Sequence, residues 1–146
     1  MNDIERAKEL FLTGEYTCVL VKNDLVYTSE TTGIAPMLGF IDSGIDLKDY
    51  SAADKIVGKA AAMLFVLAGV KEVFAAVLSK QAEAVFVKYG VQFSCDTLTD
   101  AILNRSGTDL CPMEKAVGEI EDPPEALETI RKTLELLRLR NTGDAK

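Results

Sequence analysis

The sequence predicts an α/β protein, a three-layer α/β/α sandwich on a mixed sheet with an N-terminal hairpin. Three features lead there. Two β-rich runs, Thr17 to Lys22 and Leu25 to Ser29, are separated only by the turn pair Asn23-Asp24. The unbroken apolar run Val73-Phe74-Ala75-Ala76-Val77-Leu78 has the character of a strand covered on both faces, as in parallel sheets. Helix-like and strand-like stretches alternate through the rest of the chain.

From the N-terminus, Asn2 or Asp3 caps a first helix with the apolar face Ile4, Ala7, Leu10 and Phe11, and Gly14 stops it. The hairpin follows. Residues 30 to 51 are rich in turn formers and hold one short helix around Pro36 to Ile41. Ser51 reads as the cap of a helix from Ala52 to Leu67. The second half of that helix, Ala60 to Leu67, is apolar on every face and therefore buried. A central strand over Glu72 to Ser79, a helix over Lys80 to Tyr89 and a strand over Val91 to Cys95 come next. Ala101 to Leu103 is compatible with a short strand or a helical turn. Pro112 opens a helix after Cys111, and Asp122 caps a last helix over 123–140. Its stripe, Leu127, Ile130, Leu134 and Leu137, suits packing on its own domain better than a dimer seam, being far shorter than three heptads.

Composition excludes several chemistries. The 146 residues contain no histidine, which removes Ser-His-Asp triads, Cys-His dyads and His-ligated metals. Sixteen Lys and Arg against 23 Asp and Glu give a net charge of −7, which argues against nucleic acid as a partner. The longest apolar run, Ala60 to Val70, falls far short of the ~20 residues that span a bilayer, so no membrane role is expected. Cys18, Cys95 and Cys111 are an odd, widely spaced set, and the N-terminus lacks the pattern of a secretory signal. A reducing cytoplasm is the expected location.

Two segments carry chemistry-bearing residues. In Asp54-Lys55-Ile56-Val57-Gly58-Lys59, a helical reading puts Lys55 and Lys59 on one face near a helix N-terminus, where a bound anion would relieve their repulsion. The blander account has both lysines reaching from a buried helix into water. In Cys111-Pro112-Met113-Glu114, Cys111 takes the cap position, which favours thiolate, and Glu114 could reach back as in a capping box. Otherwise Cys111 is a small packed hydrophobe. With no imidazole available, Asp54 or Glu114 would be the acid or base and Cys111 the nucleophile or redox thiol. Both motifs start predicted helices, so Cys111, Asp54, Lys55, Lys59 and Glu114 are expected around one pocket that takes a small anionic or nucleotide-like ligand. Arg105 and Asn104, in a polar turn, and Ser29 are minor ligand-binding candidates.

The segments Gly33-Ile34-Ala35-Pro36, Ala53 to Ala62, Asn104-Arg105-Ser106-Gly107 and Cys111-Pro112-Met113-Glu114 together resemble a conserved prokaryotic family, domain of unknown function 1893, over roughly Ile4 to Val117. The resemblance implies a single domain over 1–146 with a cytidine-deaminase-like fold and a ligand site, and carries no established activity. The oligomeric state stays open, with a homodimer favoured because deaminase-like folds often associate and the last helix offers a leucine seam. Working zinc deaminases place His or Cys and then Glu at the start of the central helix, and Pro-Cys-x-x-Cys at the start of the next. Here those places read Asp54-Lys55-Ile56 and Ser79-Lys80-Gln81, so neither zinc nor another cofactor is expected, and Ser79 is kept only as a ligand contact. The alternative to an enzyme is a non-catalytic module that senses a ligand or assembles into oligomers.

Overall fold

The computed structural model describes residues 1–144, with side chains through residue 140. Helix α1, Asp3–Thr13, starts at a reciprocal cap in which Asn2 and Glu5 bond each other's amides. Strands β1, Cys18–Lys22, and β2, Leu25–Ser29, form the hairpin. Asn23 turns it with φ at 53°, a conformation that asparagine tolerates. Helix α2 covers Ala35–Asp42.

The largest departure from the sequence reading comes next. Instead of one helix over Ala52 to Leu67, the chain forms strand β3, Ser51–Val57, then an extended Gly58, and then helix α3, Lys59–Ala68. The reason is burial on both faces. Ala52 and Ala53 point to opposite sides of the sheet, yet both are fully buried, so no alternation betrays a strand. The helix-favouring alanines then read as helix. The expectation of an unusually buried central helix holds for α3, whose first seven residues, Lys59 through Phe65, are all buried.

Strand β4 (Glu72–Ser79), helix α4 (Lys80–Tyr89) and strand β5 (Gln92–Thr99) complete the sheet. Its order is β2-β1-β3-β4-β5, with β1 antiparallel to both neighbours and β3, β4 and β5 parallel. β4 therefore lies inside the sheet, as its unbroken apolar run predicts. Ala101 to Leu103 is neither helix nor strand; only Leu103 pairs, in a lone bridge to Leu110. Helix α5, Pro112–Val117, and helix α6, Pro123–Asp144, follow, and the Asp122 carboxylate accepts the Glu125 amide as the expected cap.

Three layers result. On one face α1 packs Ala7 against Val19, Val21, Ala53 and Phe74. On the other, α2 to α6 surround the main core with Leu20, Ala52, Leu64, Phe65 and Phe86 at its centre. α6 buries Ile130 and lays Leu127, Leu134 and Leu137 on this core, so its apolar stripe packs against its own domain.

Candidate functional site

One row of residues crosses the sheet. Register pairs Ser29 with Cys18, Cys18 with Asp54, Asp54 with Ala75, and Ala75 with Cys95. Directly paired residues share a face, so Asp54 projects from the middle strand toward the main-core side. Only 5% of it is exposed. One carboxylate oxygen accepts the Lys55 amide at 2.8 Å; the other has no partner among the described residues. Burial pushes the Asp54 carboxyl up to about 7, and the Lys55 amide pulls only partly in the other direction. On β1, burial and then the nearby Asp54 charge raise the Cys18 thiol well above its usual value.

Asp54 borders a cavity of about 350 Å³, within the usual range for small-molecule sites. Lys55, Arg105, Cys111 and Glu114 border it too. Two elements more than 50 residues apart in sequence therefore meet, as expected, but by a different construction. Lys55 stands on β3, not on a helix, and is exposed at the cavity. Neither its ammonium nor the exposed Arg105 guanidinium has a hydrogen bond or ion pair among the described residues.

Lys59 does not join them. It is the first residue of α3 and almost fully buried. Its ammonium donates to the Gly118 carbonyl at 3.0 Å and pairs with Glu121 at 3.5 Å, facing a second cavity of about 410 Å³. The expected Lys55 and Lys59 pair is thereby corrected. Strand geometry before Gly58 and helix geometry after it remove the four-residue helical spacing.

Glu114 also departs from its expected role. Cys111 is the residue before Pro112 and the cap of α5, as read from sequence, but Glu114 does not bond its own helix start. Its two oxygens instead accept the Lys59 amide at 2.7 Å and the Ala60 amide at 2.9 Å, so it caps α3 across space. The anion-favouring N-terminus of α3 is filled by the chain's own carboxylate. A Cβ on Gly58 would overlap that carboxylate, which explains a glycine there at an unstrained φ of −100°.

The minor candidates separate. Only Arg105 lines the cavity. Asn104 organises its own turn, accepting the Thr108 amide at 3.1 Å and the Ser106 hydroxyl at 3.1 Å. Ser29 bonds Thr31 at 2.8 Å beside the cavity without lining it. Ser79 is buried as the cap of α4, accepting the Ala82 amide at 3.0 Å, and lines neither cavity. Thr31 and Thr32 line the wall, in the Ser29 to Ile34 segment whose sequence reads as an anion contact or a solvated turn, and Thr17, missed from sequence, joins them. Read as the first residue of a strand, Thr17 carried no signal of a site.

With the helix boundary corrected, α3 opens on Lys59-Ala60-Ala61 and α4 on Lys80-Gln81 after its cap Ser79. These residues do not fit a zinc site. Among the described residues no group of three Cys, Asp or Glu side chains could hold a metal, and no helix is long and apolar enough to cross a membrane.

A crystal structure of a DUF1893 family protein (TM1506) from Thermotoga maritima is similar, with a TM-score of 0.82 and 27% identity over 90% of this chain and 89% of that one. A diaminohydroxyphosphoribosylaminopyrimidine deaminase/5-amino-6-(5-phosphoribosylamino)uracil reductase from Thermotoga maritima aligns with a TM-score of 0.41 and 15% identity, over 79% of this chain and 40% of that one. No curated protein matches significantly. The model of the family TM1506, domain of unknown function (DUF1893), matches residues 6–134, and the chain belongs to that family.

Proposed function

We propose that the cavity beside Asp54 binds an anionic small molecule of roughly nucleotide size, with Lys55 and Arg105 holding the anion. The observation that carries this reading is a pair of cations without partners at a cavity whose wall holds an otherwise unpaired buried carboxyl. In a chain of net charge −7, such cations are available to an incoming anion. Asp54 can exchange a proton near neutral pH, which is what acid–base chemistry requires where no histidine exists. Cys111 brings a thiol to the same cavity. A non-catalytic ligand sensor is the second reading, favoured by the engagement of Glu114 with α3, which among the described residues leaves Asp54 as the one carboxyl at this cavity free for chemistry.

Calorimetric titration with sugar phosphates and nucleoside monophosphates, each beside its dephosphorylated counterpart, tests the proposal. Phosphate-dependent binding that weakens with salt and falls in Lys55→Ala and Arg105→Ala supports it. No binding across the panel, or binding indifferent to both substitutions, refutes it.

A further inference from the structure

Among the described residues, Asp54 is a buried acid without a counter-cation. It is nine-tenths buried, its one internal hydrogen bond comes from a main-chain amide, and among the described residues it has no counter-cation. Buried carboxylates in folded proteins are normally paired, because desolvation without a partner is costly. The groups that face it do not supply the missing charge. Cys18 lies opposite on β1 and carries no positive charge, and neither Cys111 nor Glu114 at the same cavity is a cation. Lys55 is exposed on β3 and Arg105 is exposed on the 102–105 segment, each without an ion pair among the described residues. The unpaired acid and the two unpaired cations border one cavity.

We infer that the ligand of this cavity is a zwitterion, whose anionic group meets Lys55 and Arg105 and whose protonated amine or amidine meets the free oxygen of Asp54. The inference rests on the anion-binding reading above and deepens it by naming the second end of the molecule. A cationic nitrogen against Asp54 forms the charge-assisted hydrogen bond that the chain itself leaves unmade. The proton balance is explicit: free Asp54 carries a proton below about pH 7, the bound carboxylate does not, and that proton leaves to buffer while the ligand's ammonium keeps its own.

Linear ω-aminoalkyl phosphates of two to six carbons are titrated beside alkyl phosphates of equal length, at pH 6 and pH 8, in buffers of differing ionisation enthalpy. The alkyl series corrects for titration of the phosphate itself. The expected result is alkyl phosphate binding that depends on Lys55 and Arg105. At one chain length the amine tightens it roughly ten- to a hundredfold. Close to one extra proton is released at pH 6 and almost none at pH 8, and Asp54→Asn abolishes the gain from the amine. If alkyl phosphates bind and the amine adds nothing at any length, this inference falls while the anion site stands. If neither series binds, both readings fall. The proton count on the unmodified protein decides the matter even if Asp54→Asn does not fold.

Discussion

The Glu114 carboxylate occupies the space in which a side chain on Gly58 would begin, and from there it holds the first two amides of α3. A main-chain glycine and an acid 56 positions later thus form one joint, and through it α5, with Cys111 at its start, is fixed to the central helix.

Gly58→Ala should therefore destabilise the fold by about 1–2 kcal/mol, the usual worth of a helix cap. The backbone is not the cause, since φ of −100° suits alanine. The added methyl displaces the carboxylate instead. In the Glu114→Ala background the same substitution should be nearly neutral, and urea denaturation of the four variants in a double-mutant cycle would show the non-additivity.

Asp54 sets a pH dependence. Its carboxyl titrates near 7 when folded against an ordinary value of 3.8, so between these limits the folded state binds more protons than the unfolded one, and stability falls as pH rises. The penalty is absent below about pH 4 and is fully present above pH 7 at roughly 4 kcal/mol. Asp54→Asn keeps an acceptor for the Lys55 amide and should be more stable than the native protein at pH 8 but equal to it at pH 4. Denaturation midpoints at the two pH values check the sign.

The three thiols should separate by position. Cys18 is fully buried with its thiol pushed up, and it should resist iodoacetamide until the chain unfolds. Cys111, half-buried at the cavity, should be labelled before Cys95, which sits on β5 away from it. Peptide mass spectrometry over time reads the order, and equal rates for Cys95 and Cys111 would favour the non-catalytic reading.

The two lysines once grouped by spacing should part company. Lys55→Ala should weaken phosphate ligands in the first cavity, whereas Lys59→Ala should leave their affinity unchanged and alter only stability. Calorimetry on both variants with the same ligand makes the comparison.

Most of the architecture was legible because period and punctuation agree with it. Gly14, Gly69 and Gly90 close helices, Asn23-Asp24 turns the hairpin, and Pro112 and Pro123 open helices. The failure at Ser51 to Val57 has one cause: a middle strand buried on both faces shows no alternation, and its alanines favour helix. Gly58 then looked like a small residue inside a helix when it is the break between strand and helix. The meeting of Asp54 with Cys111 was expected from a helix start at Asp54 that the structure replaces with strand β3, and the partner of Glu114 was not expected at all. No local pattern records which distant helix a carboxylate will cap.

Strand β3 lies between the two hydrophobic clusters, with Ala52 turned to the large one and Ala53 to the small one beneath α1. The strand carrying Asp54 is therefore covered on both faces over Ser51 to Ala53, and water reaches those amides only when both bodies of side chains give way. The smaller body rests on a single helix of 11 residues, so it yields first. Amide hydrogens of α1 should exchange early and those of β3 among the last, which makes the N-terminal helix the outermost latch on the strand that carries the site.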